Sequence, residues 1–146
     1  MESIRIDSTK KQVVINDDPE RMIEFDPFDV AFRERFFRLH LDIIIKYKEY
    51  SKKFDRIEKY LFELDQDDSD QDILSLNLSE MEICSIALNG IDKLFGDGTS
   101  KKVFGDEINV NLIQQFFDGI SRYFNDASSE KMTKYINKKM AGRVMK

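Results

Sequence analysis

The chain has 146 residues, a length that fits one domain with one core. Hydrophobic residues make up 41%, charged residues 35%, and there are 12 Phe and no Trp, too much apolar material for disorder throughout. A net charge of -5, one cysteine and one histidine argue against a uniformly basic nucleic-acid binder, exclude an internal disulfide, and leave little for a zinc site or histidine-based catalysis.

No uninterrupted apolar run exceeds three residues, so neither a membrane span nor a signal peptide is expected, and the expected location is the cytoplasm. Residues 1–25 place β-branched and apolar residues in short alternating groups: Ile4 and Ile6, Val13 and Ile15, then Met22, Ile23 and Phe25. Short strands are predicted there. The turn-rich segments Asp7-Ser8-Thr9-Lys10 and Asn16-Asp17-Asp18-Pro19 separate them, giving a hairpin or meander.

Asp26-Pro27-Phe28-Asp29 reads as a helix start, with Asp26 as cap, Pro27 in the first helical position and Asp29 at the positive dipole end. Phe28, Phe32, Phe36, Leu39, Ile43, Tyr47, Tyr50, Phe54, Ile57, Leu61 and Leu64 recur every three or four residues. The spacing predicts one long helix over 26–64, on the order of 55 Å. Phe37, Leu41, Ile44 and Ile45 form a second stripe on its first half, and from Tyr50 the pattern narrows to a heptad seam for one partner helix.

The run from Glu63 to Asp72 holds six acids and no base, and an exposed linker is predicted over 65–76. Asn77 and Ser79 compete to cap a second helix that ends at Gly96. Phe95 to Asp106, with two Phe-Gly-Asp triplets, is predicted as a loop. A third helix carries Leu112 to Phe124, and a fourth, separated near Asp126 to Ser129, carries Met132 to Val144. The predicted fold is therefore a single, mainly α domain over 1–146, with an N-terminal β element, a long helix and about three shorter helices, the helical C-terminal part occupying 77–146.

Residues 131–146 hold six basic side chains and no acid, which leaves residues 1–130 at -11. A basic end on an acidic body steers partners or another copy of the chain. Approach to nucleic acid is opposed by the acidic body, and only Tyr135 offers a stacking ring among those bases.

Three familiar site patterns fail on inspection. Asp65, Asp67 and Ser69, or Asp68, Asp70 and Asp72, copy the opening spacing of an EF-hand loop, but the glycine at loop position six and the acid at position twelve are missing in both registers. Gly96 to Lys101 has the composition of a phosphate loop without its Gly-Lys-Ser/Thr ending. His40 has Ile43 and Ile44 where a metal or catalytic partner would stand, and Cys84, near the predicted start of the second helix, lacks a base to activate it. No catalytic residue, metal ligand or cofactor is predicted.

The segments "EFDPFDVAF" (Glu24 to Phe32), "IDKLFGDGTSKKVFGD" (Ile91 to Asp106) and "FFDGISRYF" (Phe116 to Phe124) follow one another before a lysine-rich end. In this order, and most specifically in Leu94-Phe95-Gly96, Val103-Phe104-Gly105 and Lys134-Tyr135, the chain resembles the tail assembly chaperone-type proteins of phages and prophages of low-GC Gram-positive bacteria. That resemblance implies a non-enzymatic, mainly helical protein that coats the tape measure protein and helps tail tube subunits assemble around it. A structural or adaptor component of the same particle, or a small helical nucleic-acid-binding or regulatory protein, remains the alternative reading. The residues themselves nominate Phe37, Ile44 and Ile45 as partner-facing apolar positions and Lys138, Lys139 and Arg143 as electrostatic contacts, with self-association compatible with the same charges.

Overall fold

The computed structural model describes residues 1–60 and 66–144, with side chains described for 1–59 and 70–128. Two strands, β1 (Lys11–Ile15) and β2 (Asp18–Phe25), precede four helices: α1 (Val30–Tyr60), α2 (Gln66–Phe95), α3 (Thr99–Phe104) and α4 (Val110–Val144). The fold class is the one the sequence predicts, although α2 and α4, at 30 and 35 residues, match or exceed the 31 of α1.

β1 and β2 form an antiparallel hairpin whose turn places Asn16 and Asp17 at φ 52° and 57°. Two successive left-handed residues make the turn that suits strand twist, and Asn and Asp bear that conformation better than most side chains. Val13 pairs with Ile23 and Lys11 with Phe25, so odd-numbered residues share the inward face. The Ile4–Ile6 group forms no strand; both side chains are exposed and have no pairing neighbour.

α1 begins at Val30, not at Pro27. The Asp29 carboxylate accepts the Ala31 and Phe32 amides at 3.0 and 3.2 Å and is the true cap. Asp26 closes a separate tight turn by accepting the Phe28 amide at 2.9 Å. Two capping acids three residues apart left the choice open in sequence, and the buried Pro27 packs into the turn ahead of the helix.

α2 begins at Gln66, so the predicted linker over 65–76 is a correction: from residue 66 it is helix. Its acids occupy the first turns, where the positive end of the helix dipole favours them, and this offsets their mutual repulsion. Asn77 and Ser79 cap nothing and lie mid-helix, the Ser79 hydroxyl donating back to the Ser75 carbonyl at 3.2 Å. Leu61 and Leu64 of the predicted stripe lie outside the described residues.

The predicted loop after Gly96 contains a short helix, α3, between Gly98 and Gly105, both at positive φ. The Asp92 carboxylate accepts the Ser100 amide at 2.8 Å and its hydroxyl at 3.0 Å, filling the N-terminal end of α3. At the other end, Arg21 on β2 donates to the carbonyls of Lys102, at 2.6 Å, and Val103. The predicted break near Asp126 to Ser129 is absent, because no Gly or Pro interrupts α4 there and Ala127 is buried.

α1 and α2 form an antiparallel hairpin. Leu39 lies so close to Gly90 that a Cβ there would stand 2.3 Å from a Leu39 methyl, and further along Lys46 pairs with Glu82 at 3.3 Å. Lys53 then reaches the Ser79 hydroxyl at 3.3 Å. α4 joins at mid-height, where the Glu80 carboxylate accepts the Val110 amide at 3.2 Å, and climbs toward the start of α1. Phe36, fully buried, meets Phe117 and Phe124 with ring centroids 5.2 and 4.9 Å away. Phe25 joins the same cluster against Tyr123 and Phe95.

Phe36→Ala should therefore cost about 3–5 kcal/mol in urea unfolding, the largest loss expected of any single α1 truncation. His40 stacks on Phe117 at 4.9 Å with its Nε2 buried and without a partner. Burial holds its imidazole below the usual range, only partly offset by Asp118. The unfolded chain thus takes up a proton first, and stability falls as pH drops through about 6.5. His40→Phe should flatten the decline of the urea midpoint between about pH 7.5 and about pH 5.5; an unchanged decline would assign it to carboxylates alone.

Candidate partner-binding surfaces

Side chains on α1 divide by angle, since each residue turns the helix by about 100°. Phe36, Ile43 and Ile57 are buried toward α2 and α4. The second stripe emerges elsewhere: Phe37, Leu41 and Ile45 are 42, 55 and 48% exposed, and Ile44 beside them is half-buried. Spacings of four align these side chains in a row on the outside of the hairpin. Val30 and Phe37 also line an open cleft of about 430 Å³ with Arg33, Glu34 and Phe124, where the Phe37 ring lies 5.3 Å from that of Phe124.

Phe37, Ile44 and Ile45 are thus brought together on one side of α1, as a partner surface requires. Lys138, Lys139 and Arg143 belong to the helical backbone of α4, but their side chains lie outside the described residues.

A second surface was missed by reading 65–76 as linker. Below the start of α4, further apolar side chains are exposed. On α1 the series runs from His40, stacked on α4, to Tyr47 and Phe54 at steps of seven, and these two are exposed. On α2, Ile73, Leu74, Leu78 and Met81 are between 51 and 57% accessible. α1 meets α2 at Ser79 and Gly90, so Leu74, Leu78 and Met81 stand on the side of α2 turned away from it.

From Gln66 to Asp92 α2 carries seven acids and no base, and three of them are engaged: Glu82 with Lys46, Glu80 with the Val110 amide and Asp92 with Ser100. Burial raises the Tyr50 phenol, with the Glu80 charge and then Tyr47 adding to it. A depression of about 470 Å³ is lined by Met81, Cys84, Leu88 and Ile108 among others. Cys84 stands mid-helix and not at a helix start; burial, then Glu80, pushes its thiol up, the opposite of what a nucleophile needs.

Among the described residues no group of three or more His, Cys, Asp or Glu is placed to hold a metal, and no helix is long and apolar enough to cross a membrane. What the geometry shows is a small, mainly helical protein with exposed apolar side chains on α1 and α2. The chain belongs to a family of unknown function, DUF6673, whose model matches residues 20–146. No curated protein and no solved structure matches it.

Because both faces are solvent-exposed, Leu41→Gln and Leu78→Gln should each change stability by less than about 0.5 kcal/mol in urea unfolding. Ile43→Gln, which places an amide in the core between α1 and α2, should cost several times that.

Proposed function

We propose that this protein is a non-enzymatic tail assembly chaperone that binds the tape measure protein, the tail tube protein, or both, during phage tail morphogenesis. The observation that carries this reading is the exposed row Phe37, Leu41 and Ile45 on the outside of α1, a surface whose burial gains free energy only when another molecule covers it. At about 25 cal/mol per Å² of apolar area removed from water, side chains of this size contribute on the order of 1 kcal/mol each when half their surface is covered. Three or four of them supply the core of a modest, releasable interface. A chaperone that must leave a finished tail needs that balance.

Support also comes from the segments Glu24 to Phe32 and Ile91 to Asp106, which carry the resemblance to the tail assembly chaperone-type proteins. In the structure they meet: Phe25 and Phe32 from the first pack against Phe95 from the second. The resemblance thus falls on residues that build one corner of the core, while the row on α1 starts beside that corner at Phe37.

The test is co-purification of the intact chain with tape measure protein and, separately, with tail tube protein from the same genome. Retention of either is expected, and Phe37→Asp combined with Ile45→Asp should reduce it at least tenfold while leaving helical content unchanged. No retention of either protein by the wild-type chain removes the reading. Presence of the chain in purified particles at a fixed copy number would replace it with that of a structural component.

A further inference from the structure

Two exposed apolar stripes on the α1–α2 hairpin match in spacing and oppose each other in charge. We infer that the outer row of α1, Phe37, Leu41 and Ile45, packs antiparallel against Leu74, Leu78 and Met81 of α2 in a second copy of this chain. The row is the one that the proposed function gives to a tail protein, but the self-contact does not rest on that reading.

Spacing supplies the register. On α1 the steps from Phe37 to Leu41, Ile45 and Lys48 are four, four and three residues. On α2, taken in reverse, the steps from Met81 to Leu78, Leu74 and Asp70 are three, four and four. Such steps keep to one side of a helix. Laid antiparallel, the two sets stay level to within about one residue, or 1.5 Å of rise. Phe37 then lies by Met81, Leu41 by Leu78, Ile45 by Leu74 and Lys48 by Asp70, and all eight side chains are exposed in the single chain. Each apolar residue leaves water against another apolar residue.

Charge selects the occupant and its direction. Below Ile45 the row becomes basic at Lys48 and Lys52, while α2 opens with Asp67, Asp68, Asp70 and Asp72 and has no base before Lys93. Lys48, Lys52 and Asp70 take part in none of the ion pairs among the described residues. A parallel arrangement that kept Leu41 by Leu74 and Ile45 by Leu78 would set Phe37 on Asp70 and Lys48 on Met81. Pairing the row with itself would leave the α2 stripe in water and set Lys52 on Val30. Only the antiparallel contact between row and stripe covers both and brings lysine to aspartate.

The contact joins two different surfaces, so a pair keeps a free row at one end and a free stripe at the other, and further copies add head to tail. Within the chain Lys46 meets Glu82, whereas across the contact Leu41 is level with Leu78. Neighbours are therefore displaced by about ten residues, roughly 15 Å, along the helix axis. A partner that takes the row must displace the second copy.

The experiment is sedimentation velocity of full-length chains at low salt. The wild type should show a mass that rises with concentration above the 17.2 kDa of one chain, and less steeply in high salt. Leu41→Asp, which spoils the row, and Leu78→Asp, which spoils the stripe, should each remain at the monomer mass, with circular dichroism showing both folded. Mixed together they retain one good row and one good stripe, and should form a complex of twice the monomer mass that grows no further. Lys48→Glu and Asp70→Lys should each weaken association about fivefold and restore it when combined in one chain. A wild type that is monomeric at every concentration, a mixture that stays monomeric, or association that survives Leu78→Asp overturns the inference. Independently, chains with Ile45→Cys and Leu74→Cys, each also carrying Cys84→Ser, should form a mixed disulfide on oxidation, and none forming would equally overturn it. The Leu78→Asp chain keeps its row, so its co-purification with a tail protein reports on the proposed function separately.

Discussion

The arrangement turns on where α4 is pinned. Phe36, buried among Phe117 and Phe124, and the Glu80 carboxylate on the Val110 amide fix α4 at two points. Both lie on the upper half of the α1–α2 hairpin. The aromatic contact is strong because three large apolar faces leave water at once and their rings meet tilted, near the preferred geometry. The carboxylate satisfies an amide at the helix start that has no partner within the helix. Together they make α4 a cover for half of the hairpin and leave it to overshoot the other end.

The remaining elements serve the upper half. The β hairpin lays Ile23 and Phe25 over the aromatic cluster, and Arg21 ties it to the end of α3 by donating to two carbonyls that would otherwise lack partners. Asp92 holds the beginning of α3 by accepting from the Ser100 amide and hydroxyl. Thus a helix of six residues, too short to persist alone, is held at both ends by side chains from other elements. It closes the floor beneath Phe116 through Phe104, whose ring lies 5.9 Å away. Among the described residues the lower half of the hairpin has no such additions: Ile57 is buried, and Phe54, three residues before it, is left open.

Periodicity made the helices legible, and the competing signals inside them did not survive. The three- and four-residue spacing of Phe28 to Ile57 identified α1, and Gly96, with φ 117°, ends α2 as its position suggested. Ser79 and Asn77 looked like caps because Ser and Asn favour helix starts, yet a helix already under way absorbs them through back-bonding to the preceding turn. The acids of 65–76 looked like a linker because like charges repel, but the dipole at a helix start favours the same residues. That single misreading hid the exposed apolar residues Ile73, Leu74 and Leu78 of α2. Of the heptad positions from Tyr50, Ile57 is buried and Tyr50 half-buried, whereas Phe54 is exposed. Periodicity alone could not say that a second side of the pair stays open, because it reports which residues share a face and not what covers it.

The exposed apolar positions of α1 divide between two sides of that helix. Leu41 and Tyr47, six residues apart, diverge by about 120° around it, so one packed helix cannot cover both, and a neighbour lying along Phe37, Leu41 and Ile45 leaves Tyr47 and Phe54 in water.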